Sequence, residues 1–137
     1  MLGELICEER VKLTGTRVLP HDGPGPKVEV SFQAGGKMLG VDETDMGTYW
    51  SIVRQHGDGA MYGSGDGVLM TTTGEMVTWK GSGVGRFTGR GSGVTFRGVV
   101  YYQTASERLR RLNGLAGVYE YETDENGNVA LKVWEWK

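Results

Sequence analysis

Cysteine is almost missing from this chain: Cys7 stands alone among 137 residues, so no disulfide can form within it, which suits a reducing, cytoplasmic setting. Proline is equally scarce, and all three, Pro20, Pro24 and Pro26, fall in one short stretch that reads as a loop. No apolar run approaches the ~18 residues of a membrane-spanning helix, and the first ten residues lack a basic leader followed by an apolar stretch. Charge of one sign is missing too. A net charge of -2 gives no electrostatic footprint for nucleic acid and no acidic tail. Helical periodicity is nearly absent, and apolar residues recur at a period close to two along most of the chain.

Glycine, by contrast, is abundant. There are 24 glycines, densest in Gly63-Ser-Gly65-Asp-Gly67 and from Gly81 to Gly93, inside strand-patterned segments rather than between them. Glycine within a strand marks a tight bend, a bulge, or a place where another group approaches the backbone. Residues 3–19 form a first extended segment with Val11, Leu13 and Leu19 on one parity. Lys27 to Ala34 alternates Val28, Val30, Phe32 and Ala34 with polar residues, a half-buried strand. In the block 44–54, Met46, Trp50 and Ile52 share the more apolar face, opposite Asp45, Gly47, Tyr49 and Ser51.

Two further hairpins follow. With Thr73-Gly74 as a two-residue turn, Met70 pairs with Val77, Val68 with Trp79 and Asp66 with Gly81. A turn at 89–92 pairs Phe87 with Val94, Gly85 with Phe96 and Trp79 with Tyr102. One face then carries Tyr62, Ser64, Asp66, Val68 and Met70, then Val77, Trp79 and Phe87, then Val94, Phe96, Val100 and Tyr102. A one-residue slip would exchange the faces. Residues 106–113 break the pattern with a capping Ser106, Leu109 and Leu112 at i and i+3, and an Asn113-Gly114 stop, the signature of one short helical turn. Asn126-Gly127 marks the last hairpin, with Tyr119, Tyr121, Trp134 and Trp136 on one face and Val118, Glu120, Leu131 and Val133 on the other. The expected fold is all-β: one domain over 1–137, an antiparallel up-and-down barrel of about eight strands, closed so that no sheet edge stays exposed.

The segments Met46-Gly-Thr-Tyr-Trp-Ser51, Tyr62-Gly-Ser-Gly-Asp-Gly-Val-Leu-Met70 and Gly74-Glu-Met-Val-Thr-Trp-Lys-Gly-Ser-Gly-Val-Gly85 resemble uncharacterised prokaryotic small β-barrel proteins. These are similar to the calycin-type barrels grouped with allene oxide cyclase and dirigent proteins. The resemblance extends over residues 3–137 by strand rhythm and implies an eight-stranded barrel with a mostly apolar cavity, often in a homo-oligomer. No catalytic signature is carried over with it.

Phosphate and metal motifs are not met. G-x-G-x-x-G started at Gly81, Gly83 or Gly89 ends on Arg86, Thr88 or Val94, and no helix follows. His21 and His56 sit in predicted turns without a second ligand at metal spacing, and the acidic stretches at 42–47 and 124–128 misplace the glycine of a calcium loop. Neither a metal nor a cofactor is expected. Arg108, Arg110 and Arg111 form the only basic cluster, read as a solvated face ahead of an anion site. The expected ligand site is a cavity walled by Trp50, Trp79, Phe87, Phe96 and Tyr102, with Tyr62, Ser64 and Asp66 as its polar groups. An interior Asp66 would be either a hydrogen-bonded structural hub or an acid/base group. The leading function is binding of a small apolar molecule, ahead of an isomerase or cyclase acting in the same cavity and of a filled, structural barrel forming oligomers.

Overall fold

The computed structural model describes residues 1–20, 23, 25–54, 59–89, 91 and 93–137. Both histidines, the centre of the 55–59 connection, and Arg90 and Ser92 of the 89–92 turn lie outside the described residues. Eight strands run in chain order: β1 (Leu2–Leu19), β2 (Lys27–Met38), β3 (Val41–Val53), β4 (Ala60–Thr71), β5 (Met76–Phe87), β6 (Val94–Thr104), β7 (Ala116–Thr123) and β8 (Val129–Trp136). Each pairs antiparallel with the next, and β8 pairs with β1 from Leu2↔Trp136 to Val11↔Val129, so the sheet closes into a barrel. No described helix is long and apolar enough to cross a membrane.

The break between β6 and β7 is a 3-10 turn, Arg110–Gly114, that plugs one end of the barrel. Leu109 and Leu112 are fully buried there against Ile6, Met38, Leu69, Val77 and Tyr102. Polar contacts fix it in place. Ser106 Oγ donates to Glu75 Oε2 at 2.7 Å, Arg108 pairs with Glu75, and Asn113 exchanges two hydrogen bonds with the Thr104 backbone. Arg111 bonds Glu4 and Glu135, each at 2.6 Å, and Arg110 pairs with Glu107. All three arginines are engaged by carboxylates of the chain, which leaves the anion reading without support.

Register explains where the sequence reading held and where it inverted. The β5–β6 pairs Phe87↔Val94, Gly85↔Phe96 and Trp79↔Tyr102 are as expected, and Val30, Phe32 and Ala34 of β2 are buried. The β4–β5 pairing is shifted by one residue: Met70 faces Met76, Leu69 faces Val77 and Gly67 faces Trp79. Thr71 N bonds Glu75 O, Gly74 N bonds Thr71 O, and Gly74 has φ +86, so the loop has three residues and ends on a left-handed glycine. That extra residue turns β4 over. The same geometry closes β7–β8, where Asp124 N bonds Asn128 O and Gly127 has φ +83. Tyr119 therefore pairs with Val133 and Tyr121 with Leu131, not with the tryptophans, and Trp136 is exposed.

Candidate functional site

Inward positions of β3 are Glu43, Asp45, Gly47 and Tyr49, while Met46 is 56% exposed. The apolar-looking face of this strand is thus the outer one. β1 contributes Cys7, Glu9 and Val11 to the interior, helped by an irregularity between Leu5 and Cys7 in its pairing with β8. Glu9 sits opposite Gly36 of β2, and Gly36 opposite Glu43 of β3. The missing side chain at Gly36 leaves the two glutamates free to lean together across the strand between them. A Cβ there would lie 1.9 Å from the Glu8 carbonyl oxygen.

Trp79 follows the same logic. Phe32, Gly47, Gly67 and Trp79 occupy one row across β2 to β5. A Cβ on Gly47 would fall 2.5 Å from Trp79 Cζ2, and one on Gly67 would fall 2.2 Å from Trp79 Cε2. The indole lies in the lane these glycines clear, stacks on Phe32 with centroids 6.0 Å apart, and donates from Nε1 to Asp45 Oδ1 at 2.8 Å.

Three buried carboxyl groups result. Glu9 is 1% exposed, Asp45 3% and Glu43 4%. Among the described residues, no donor outside the carboxyl cluster is well placed on either oxygen of Glu9, and the Gly36 backbone is the one neighbour of that kind to Glu43. A proton can be shared among the three carboxyls, and Asp45 accepts from Trp79 Nε1. Burial raises all three carboxyls, and Glu9, where the neighbouring Glu43 and Asp45 add to it, is pushed up to about 11. Burial likewise raises the Cys7 thiol, with Glu9, Glu43 and Asp45 adding to the effect. Carboxyls so placed hold protons, or hold another cation in their stead.

The cluster borders an interior cavity of about 80 Å3. Cys7, Glu9 and Asp45 form its polar end, and Phe32, Tyr49, Trp79, Phe96, Tyr102, Tyr119 and Tyr121 its walls. The Tyr49 and Tyr121 hydroxyls are 3.5 Å apart, and both rings pack edge-on against Phe96. The space holds several waters or a few heavy atoms and falls short of the ~300 Å3 common for drug-sized ligands.

Of the expected cavity residues, Trp79, Phe96 and Tyr102 line this space, and Ser64 borders it between Gly63 and Gly65. The others lie elsewhere. Asp66 is on the outer face, bonded to Lys80 Nζ at 2.7 Å with its side chain 68% exposed, so it is not an interior hub; it lines an open outer pocket with Lys80, Thr78 and Tyr101. Trp50 and Tyr62 pair on the outer face, centroids 5.8 Å apart, under Lys27 and Arg54. Phe87 keeps the inward parity but ends β5 at the rim, 53% exposed. The sequence reading missed Glu9, Glu43 and Asp45. Their signal was present: Glu9 shares parity with Cys7 and Val11, and Glu43 and Asp45 share it with Tyr49.

No family model matches the chain, and no curated protein matches its sequence. Among solved structures, a protein of unknown function from Clostridium acetobutylicum ATCC 824 superposes with a TM-score of 0.80 at 15% identity, over 96% of each chain. An enzyme from Penicillium herquei gives 0.68 at 14% identity, over 96% of this chain and 92% of the other. A nonspecific heme-binding cyclase that catalyses [4 + 2] cycloaddition during neoabyssomicin biosynthesis gives 0.57 at 16% identity, over 97% of this chain and 65% of the other. At such identities the likeness is one of fold.

Proposed function

We propose that the barrel binds a small molecule with an apolar body and one basic or proton-accepting group, and that the carboxyl cluster fixes and acts on that group. One observation carries this reading: three carboxyls are buried at the end of an aromatic cavity, and the oxygens of two of them have no partner in good hydrogen-bond geometry among the described residues. A barrel that only had to be filled would be more stable with apolar side chains in their place. The cavity volume sets the ligand at a few heavy atoms, or at one end of a larger molecule for which the Tyr49–Tyr121 contact parts.

A second reading, an isomerase or cyclase acting by proton transfer, is favoured by the close approach of carboxyls in a space that excludes bulk water. A cyclase and a second enzyme among the structures of similar fold agree with it. The proposal includes self-association, supported by the outward Met46, Met76, Val84 and Tyr101, each half or more exposed.

Native mass spectrometry of the purified chain reads both a retained molecule and the subunit count. In parallel, small amines and cyclic ketones are titrated while the methyl resonances of Leu69, Val100 and Val133, which line the cavity, are followed by NMR. Binding is expected to shift these methyls in the wild type and not in Glu9→Gln. An empty lumen by mass and unshifted methyls across both compound classes would sink the proposal.

A further inference from the structure

We propose that Cys7, Glu9 and Glu43 form a site for one divalent first-row transition-metal ion, Zn2+ being the reference, with a remaining coordination position facing the cavity. The Cys7 sulfur and one carboxylate oxygen from each glutamate all lie within 4.8 Å of one another. In a tetrahedral zinc site such donors sit about 3.3–3.6 Å apart, a difference that small rotations of two glutamate side chains close. The second observation is independent of this spacing. All four oxygens of Glu9 and Glu43 are buried without a partner in good hydrogen-bond geometry, an arrangement that a bound cation satisfies.

The sulfur selects among cations. Cys7 is buried and unpaired, and its side chain is turned toward the carboxyls. A proton or an organic ammonium would be served by the carboxyls alone, and Mg2+ and Ca2+ take oxygen sets of six or more. A thiolate with two carboxylates instead suits Zn2+, Co2+ or Fe2+. Three protein ligands with an open fourth position are the arrangement of a zinc that meets a substrate, and the cavity borders Cys7 and Glu9 directly. Asp45, held by the Trp79 N–H, lies beside the ligands as an orienting neighbour.

This inference goes beyond the small-molecule reading and does not require it, because metal uptake and ligand retention are measured separately. The whole chain is produced in zinc-supplemented medium and assayed for bound metal, then stripped with chelator and titrated with Co2+. One ion per chain is expected, with a near-ultraviolet sulfur-to-cobalt charge-transfer band. Cys7→Ser should abolish that band, and Glu9→Gln and Glu43→Gln should each weaken binding by about 100-fold or more. Asp66→Asn, in the outer ion pair, should leave metal binding unchanged. Absence of stoichiometric metal after supplementation, or a Co2+ complex of the wild type without the charge-transfer band, would overturn the site. That last spectrum decides even where a variant fails to fold.

Discussion

Glu75 and Glu9 belong to neighbouring parts of one barrel and have opposite surroundings. Glu75, in the β4–β5 turn, accepts hydrogen bonds from Thr71, Thr73 and Ser106 and pairs with Arg108, which together hold its carboxyl down at about 2. It anchors the 3-10 plug to the sheet. Glu9 has no well-placed donor outside the carboxyl cluster, faces two further carboxyls, and is driven upward by burial. A chain that partners one glutamate so thoroughly can supply donors where stability needs them. Their scarcity around Glu9 and Glu43 marks a site shaped for something other than stability.

The largest effect on this contrast should come from Gly36→Ala. Its Cβ would press on the Glu8 carbonyl and wedge apart the two glutamates, and a denaturant melt should show a loss of about 3–5 kcal/mol. A loss under about 1 kcal/mol would mean that β1 and β2 can shift, and that the gap is not required. Next, Trp79→Phe keeps the ring on Phe32 but removes the indole donor to Asp45. The cost should be about 1–3 kcal/mol, with the plug unaffected in amide exchange.

Glu9→Gln and Glu75→Gln sharpen the comparison because they should act with opposite sign. The folded-state value of Glu75 lies below the usual 4.5, so its contribution is present above pH 4.5 and is lost as the pH falls toward 2. Glu75→Gln should lower the melting temperature at neutral pH and flatten that acid limb. Glu9 is raised above 4.5, so its contribution is present below pH 4.5 and is lost as the pH rises. Metal-free Glu9→Gln should melt above metal-free wild type at pH 7, by about 1–2 kcal/mol. Two variants shifting the same way would erase the distinction. The smallest effect belongs to Tyr49→Phe: its 3.5 Å contact with Tyr121 is at the limit of a hydrogen bond, and its removal should change stability by under about 0.5 kcal/mol.

Much of the barrel was legible because strand alternation, turn residues and the single helical break are local signals. The β2 face, the β5–β6 register and the plug residues Leu109 and Leu112 follow from them. Gly67, in the glycine-dense stretch, was legible as a bend, a bulge or a close approach, though not which; Gly35-Gly36 reads as a bulge or turn, whereas β2 runs unbroken through it to Met38. What misled was polarity. In β3 the outward Met46, Trp50 and Ile52 look more like a core than the inward Glu43, Asp45, Gly47 and Tyr49, and β4 went to the wrong face because its turn to β5 holds three residues where two were expected.

Local chemistry alone therefore determined that this chain makes short-turned antiparallel strands with one brief helical break, since those preferences act over a few neighbouring residues. Only the closed sheet decided which parity faces inward. Three-residue turns at Gly74 and Gly127 set registers that composition left open, and closure joined β1 to β8. Cys7 and Glu9 are near neighbours on β1, but Glu43 lies far along the chain on β3 and meets them only because β2 runs between with no side chain at Gly36.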